Sequence, residues 1–207
     1  MKEFKNYNEF AVCTMQENLQ AAKICLDTPK ESDSNSCYGM SAIILLSSVI
    51  DALGMFYRNG TTWAPISEQD VKNKKLGKAT EHFGKFYDKF LSNSSYDRSF
   101  FVGEFYDYVR CRATHNNVLG PKIKITINKS ANGIMFEKKH PSASTTVYLN
   151  ELYNEVQNAY NLFLAESRIT CVETMQPTTG STIYNFATYV KNKAVRGMSF
   201  FKRKRFR

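Results

Sequence analysis

The chain lacks any uninterrupted apolar run near the roughly 20 residues that a bilayer-crossing helix needs. Its most apolar stretch, residues 40–50, is short and ends at Asp51. The opening residues, Met1-Lys2-Glu3-Phe4-Lys5-Asn6, put charge and polarity where a secretory signal would carry an apolar segment. Cysteines are few and scattered: Cys13, Cys25, Cys37, Cys111 and Cys171 form an odd set without CxxC spacing, which indicates neither a zinc site nor a disulfide framework. Reduced thiols in a cytoplasmic protein are the expectation, with no metal and no cofactor.

What the chain has in abundance is aromatic residues, 15 Phe and 12 Tyr in 207 residues, a composition that argues for a packed core rather than disorder. The length suits one domain with an appendage. Its net charge of +9 resembles that of a nucleic-acid binder until its placement is considered. Lys191, Lys193, Arg196, Lys202, Arg203, Lys204, Arg205 and Arg207 supply all but one unit of it, with no acid among them. The body is nearly neutral and the tail is basic.

Apolar residues at Phe10, Cys13, Met15, Leu19, Ala22 and Cys25 recur every three or four positions and predict a first amphipathic helix from residue 7 to about 26. Asp27-Thr28-Pro29 stops it, and residues 30–36 form a polar connector rich in N-cap types. From 37 to about 57 the chain is apolar almost all round, as a central buried helix requires. Asp51 interrupts it, and is either partnered or marks the helix's emergence into solvent, because an unpaired buried carboxylate is costly. A loop follows from 59 to about 78, with a helical turn starting at Ser67-Glu68, then a third helix over 80–91 and a fourth over about 97–114. The last has Phe101, Phe105, Tyr108 and Val109 as its apolar face.

Beyond Gly120-Pro121 the period changes to two at Ile123, Ile125 and Ile127, and Asn132-Gly133 precedes Ile134-Met135-Phe136, which predicts a β-hairpin insertion at about 122–140. A final long helix over about 147–167 presents Leu149, Leu152, Val156, Tyr160, Phe163 and Leu164 on one stripe. The fold class expected is therefore mainly α, an antiparallel bundle of four to five helices with a small inserted hairpin. Residues 1–172 form the helical domain, and 173–207 a linker and basic tail.

The chemistry concentrates at the end of the fourth helix, in Arg110-Cys111-Arg112-Ala113-Thr114-His115-Asn116. Three readings compete. Cys111 and His115 share a helix face, as metal or thiol chemistry requires, but no second ligand pair and no distant His-Asp partner accompanies them. In a purely structural reading Arg110 pairs with a carboxylate such as Asp107 or Glu104, and His115 meets the last carbonyls of its helix. The third is metal-free RNA cleavage, in which a His moves protons at the ribose 2′-hydroxyl or leaving oxygen and an Arg neutralises charge on the phosphorane. On an ideal helix Arg110 and His115 point about 140° apart, so this reading needs the helix end to unwind or the Arg to curl round.

Arg110, four residues and His115 resemble the signature of the HEPN domains, small helical bundles marked by an Arg, four to six residues and a His near the end of a late core helix. The run Leu45-Leu46-Ser47-Ser48-Val49-Ile50-Asp51-Ala52-Leu53-Gly54 and the approach Phe105-Tyr106-Asp107-Tyr108-Val109-Arg110-Cys111 are similar to one HEPN branch, and the resemblance spans about residues 5–170. It implies a metal-independent endoribonuclease, commonly a homodimer whose two Arg/His sets face each other. Such proteins often act as toxins or antiphage effectors that cut tRNA or other RNA, with an antitoxin or defence partner. The catalytic positions carried over are Arg110 and His115. The family frequently has Asn, Asp or His directly after the Arg; here Cys111 stands there, and Arg112, Thr114 or Asn116 is left to supply the supporting bond. Asp51 is assigned the orientation of Arg110 because of the cost of burying it alone.

Some members of that family have lost catalysis and serve as scaffolds, so the alternative is a noncatalytic dimeric module that binds RNA, an anionic membrane surface or a protein. The tail fits either. Lys202, Arg203, Lys204, Arg205 and Arg207 can meet RNA phosphates while Phe200, Phe201 or Phe206 stacks on bases, or the same residues can face anionic lipid. A solvated extension is the third use of such a segment.

Overall fold

The computed structural model describes residues 6–30, 33–73, 75–92, 96–116, 118–138 and 143–170, the side chains of 29, 30, 33–37, 115 and 116 excepted. By its contacts the chain divides into Met1–Cys171 and Val172–Arg207. The second unit, with the expected linker and tail, lies outside the described residues.

The protein is mainly helical with a small three-stranded sheet. Helix α1 (Tyr7–Asp27) starts where Asn6 accepts bonds from the backbone N–H groups of Asn8 and Glu9, both at 3.0 Å, and ends against Pro29, which cannot continue it. The connector after it is not merely polar loop: strands β1 (Pro29–Lys30) and β2 (Asp33–Cys37) pair antiparallel.

Helix α2 (Gly39–Phe56) packs against α1, α4 (Ala79–Phe86) and α6 (Leu149–Ser167). With a mean hydropathy of 1.8 it passes the length and composition test for a membrane span, which the sequence reading had denied to any segment. Here 56% of it is buried inside the fold, as befits the central core helix. Ala42, Ile43, Leu46, Val49, Ile50, Leu53 and Phe56 are fully enclosed. Burying each large aliphatic or aromatic side chain of this kind contributes about 1.5–3 kcal/mol.

The short α3 (Glu68–Lys72) carries a reciprocal cap between Ser67 and Asp70. Arg58 ties this loop down through the carbonyls of Ala64 and Pro65 and the carboxylate of Asp70. Helix α4 continues into a π-helical turn, π1 (Tyr87–Leu91).

The fourth expected helix exists but is of a different kind. Between Phe100 and Cys111 it is a π-helix, π2, which becomes α-helical only over α5 (Arg112–Asn116). Its buried positions fall at strict fours, Phe101, Phe105, Val109 and Ala113. An α-helix of 3.6 residues per turn would rotate such a stripe by about 40° at each step, and the wider i→i+5 turn counters that drift. The Phe101 and Phe105 rings accordingly stack at 5.2 Å, inside an aromatic cluster with Phe83, Phe86 and Phe136. Offset or tilted pairs of this sort add about 0.5–1.5 kcal/mol each beyond their burial.

The hairpin expectation is corrected. Strands β3 (Ile123–Thr126) and β4 (Phe136–Glu137) do not pair with each other; β5 (Thr145–Tyr148) lies between them, parallel to β3 and antiparallel to β4. The residues Thr145-Thr146-Val147-Tyr148 are β-branched or aromatic and alternate between core and surface, so they form a strand, and α6 starts at Leu149. Asn150 fastens the start of α6 to the Ile127 carbonyl at 2.7 Å.

The expectation of five reduced thiols is also corrected. Cys13 is disulfide-bonded, whereas Cys111 keeps its thiol. Sequence spacing could not reveal this, because disulfides depend on where the fold carries each Cα. The cysteine argument for a reducing compartment is thereby withdrawn.

Candidate functional site

Three helices contribute one side chain each to a half-buried polar cluster: Asp51 of α2, His82 of α4 and Arg110 of π2. Asp51 Oδ1 lies 2.6 Å from His82 Nδ1, and its Oδ2 accepts from Arg110 Nη2 at 3.3 Å. The other ring nitrogen of His82, Nε2, sits 2.6 Å from the Leu76 carbonyl oxygen. Asp51 is therefore partnered. The side chains of His82, Asp51 and Arg110 retain 8%, 25% and 23% of their exposure, so the His is enclosed while the other two reach the surface.

Two glycines make this approach feasible. A Cβ on Gly54, one turn after Asp51, would lie 1.9 Å from the His82 carbonyl oxygen, so α2 and α4 touch backbone to backbone at this point. Gly77 adopts φ +88°, a conformation that disfavours side chains, in the turn that directs the preceding Leu76 carbonyl at His82.

The widened helix arranges the other side of Arg110. Its guanidinium stands 5.6 Å from the Tyr106 ring centroid, four residues back, while the Tyr106 hydroxyl bonds the thiol of Cys111, five residues on. Burial first, then that bond, pushes the Tyr106 pKa up. Burial opposes charge on His82, but the bonds to Asp51 and to the Leu76 carbonyl, with the nearby charges of Asp51 and Glu81, outweigh it and raise its pKa above the ordinary 6.5.

Of the residues the sequence singled out, the structure brings together Asp51, Arg110 and, through Tyr106, Cys111. Arg112 lies over the Tyr108 ring at 5.4 Å, and Thr114 is exposed. The side chains of His115 and Asn116 lie outside the described residues, as do Lys202, Arg203, Lys204, Arg205 and Arg207. The helix does not unwind before His115: its backbone stays α-helical to Asn116, and the departure from α geometry comes earlier. The chain then folds back so that the Gly120 N–H donates to the Tyr108 carbonyl at 2.8 Å. Gly120 sits so close that a Cβ there would be 2.4 Å from that of Tyr108.

His82 was the residue missed. No distant His-Asp pair was recognised in the sequence, yet His82 and Asp51 form one. The available signal was Asp51 itself, a carboxylate in an apolar helix that needed a partner, in a chain with three His. Among the described residues no group of three or more His, Cys, Asp or Glu could hold a metal ion. A separate cleft of about 330 Å³ beside π2 and the small sheet is lined by Tyr96, Phe100, Glu104, Phe136 and Lys138 among others; none of the three cluster residues lines it.

Compared with protein-family models, curated proteins and solved structures, the chain matches none.

Proposed function

We propose that this chain is a metal-independent endoribonuclease of HEPN type, in which Arg110 and His115 act on a phosphodiester. The observation that carries the reading is the placement of Arg110. Its guanidinium is held from one side by Asp51 and from the other by Tyr106, remains partly exposed, and precedes His115 by five residues on the same continuous helix. A fixed, partly desolvated guanidinium suits stabilisation of charge that builds on a phosphorane. His115 takes the proton of the attacking 2′-hydroxyl or delivers one to the leaving 5′-oxygen. The products are a 2′,3′-cyclic phosphate and a 5′-hydroxyl. A homodimer sharing the two sites, and a toxin or defence role with a cognate partner, belong to the same proposal.

Incubating total RNA with the full chain in EDTA, followed by mapping of the ends, tests the assignment. Cleavage that persists in EDTA and disappears in both Arg110→Ala and His115→Ala supports it. Salt-sensitive RNA binding without cleavage, lost on removal of residues 191–207, would replace it with the noncatalytic binding module.

A further inference from the structure

The protonation of His82 follows from geometry. Each of its ring nitrogens lies 2.6 Å from an oxygen, one on the Asp51 carboxylate and one on the Leu76 carbonyl. A neutral imidazole has a single N–H, which would leave its other nitrogen facing an acceptor lone pair to lone pair. Imidazolium satisfies both. The second oxygen of Asp51 accepts from the Arg110 guanidinium at 3.3 Å, so the carboxylate lies between two donors. The raised His82 pKa agrees with the charged form.

We propose that His82, as an imidazolium, is a positioning residue that shares the Asp51 carboxylate and so leaves positive charge on Arg110 available to a phosphate group. Two cations then face one carboxylate, and the cluster carries a net positive charge. His82 is capped on both nitrogens and enclosed, so it does not touch the anion; it acts through Asp51. Without it, the whole carboxylate would be turned to Arg110, and an incoming phosphate would compete with a full ion pair. The other ionisable groups that face the cluster are Glu81 on α4, exposed, with its carboxylate accepting from the Lys78 N–H, and Tyr106 on π2, whose hydroxyl is tied to Cys111. The inference rests on the ribonuclease reading only in taking phosphate as the ligand of Arg110.

As pH rises through the His82 pKa, above 6.5, the imidazolium loses its proton and the excess charge disappears. Two readouts on the whole chain test this without cleavage. Nitrogen-15 shifts of the His82 ring should report two protonated nitrogens at pH 6.5, and a neutral tautomer at that pH overturns the proposal. Inorganic phosphate, titrated and followed through the Arg110 side-chain signals, should bind several-fold more tightly at pH 6.5 than at pH 8.5 after allowance for phosphate's own ionisation. His82→Gln should bind at the weaker level at both pH values, and Arg110→Gln should abolish the effect. Equal affinity in wild type and His82→Gln at pH 6.5, or no Arg110-dependent binding at any pH, overturns it; the wild-type titration decides if the Gln variant misfolds. If phosphate binding follows His82 while RNA stays intact, the nuclease assignment fails and the charge-sharing role stands.

Discussion

Replacing Gly54 with Ala sets two effects of opposite sign against each other. Within a helix, Ala is favoured over Gly by about 0.8–1 kcal/mol, so propensity alone predicts a more stable protein. The neighbouring backbone decides otherwise. The new Cβ would stand 1.9 Å from the His82 carbonyl oxygen, 2.5 Å from its carbon and 2.7 Å from its Cα, all main-chain atoms that cannot swing aside. To reach the 3.0 Å below which real Cβ contacts essentially do not occur, α4 must withdraw from α2 by more than 1 Å. The same displacement carries His82 Nδ1 away from Asp51, stretching a 2.6 Å contact beyond hydrogen-bond range. Overpacking costs about 1–3 kcal/mol and the weakened charge-assisted bond about 1.5–3 kcal/mol, which together exceed the propensity gain and predict a net loss of about 1.5–5 kcal/mol. Urea unfolding should show a lower midpoint at unchanged slope. Gly103→Ala is the control, since nothing stands within 4 Å of its Cβ position, and it should gain about 0.5–1 kcal/mol. A Gly54→Ala protein as stable as the parent would refute the backbone contact between α2 and α4.

Stability should carry a signature of His82. Because its folded-state pKa is raised above 6.5, its contribution is fully present below that pH and is lost as pH rises through the folded value, so urea midpoints should fall on the alkaline side in wild type and show no such fall in His82→Gln. Glu166 accepts from the enclosed Tyr57 hydroxyl at 2.8 Å and from Lys89 at 2.9 Å. Glu166→Ala should therefore cost about 1–3 kcal/mol in thermal or urea unfolding, and Glu166→Gln, which keeps an acceptor, should cost less. Ser47 Oγ is buried in α2 without a hydrogen-bond partner among the described residues, so Ser47→Ala should stabilise by up to about 1 kcal/mol by the same measurement, and a loss would mean that a bond to the hydroxyl was missed.

The helices were legible because their signal is local. Stripes such as Leu149, Leu152, Val156, Tyr160 and Phe163 state which face is buried whatever the rest of the chain does. The kind of helix was harder to see. Phe101, Phe105, Val109 and Ala113 stand four apart, a spacing that a period of 3.6 tolerates over two turns, and only packing of the Phe101 and Phe105 rings distinguishes the wider turn. Strand pairing was misread because Asn132-Gly133 suggests a turn between neighbours, whereas the partner of both strands comes later in the chain, just before α6. The site was half legible. Arg110 stood out by its residue type and surroundings and Asp51 by the cost of its burial, but His82 lies 31 residues from Asp51 and beside Phe83, where a core-facing position hides its chemistry.

That half-legible site depends on the core more closely than its sequence motif suggests. Asp51 and Gly54 are three residues apart on α2, so the carboxylate and the notch that admits α4 share a face. The same contact that lets α4 approach delivers His82 to Asp51, and Asp51 then fixes Arg110 from a position 59 residues away in sequence. Substitutions that loosen α2 against α4 should consequently resemble substitutions of Arg110 in any activity measured. The two are separable by stability: losing Arg110 removes a partly exposed group and one 3.3 Å bond, whereas separating the helices disturbs enclosed residues such as Leu53 and Phe83 as well. Activity losses that scale with unfolding midpoint belong to the packing of α2 on α4, and those that do not belong to the charge on Arg110 itself.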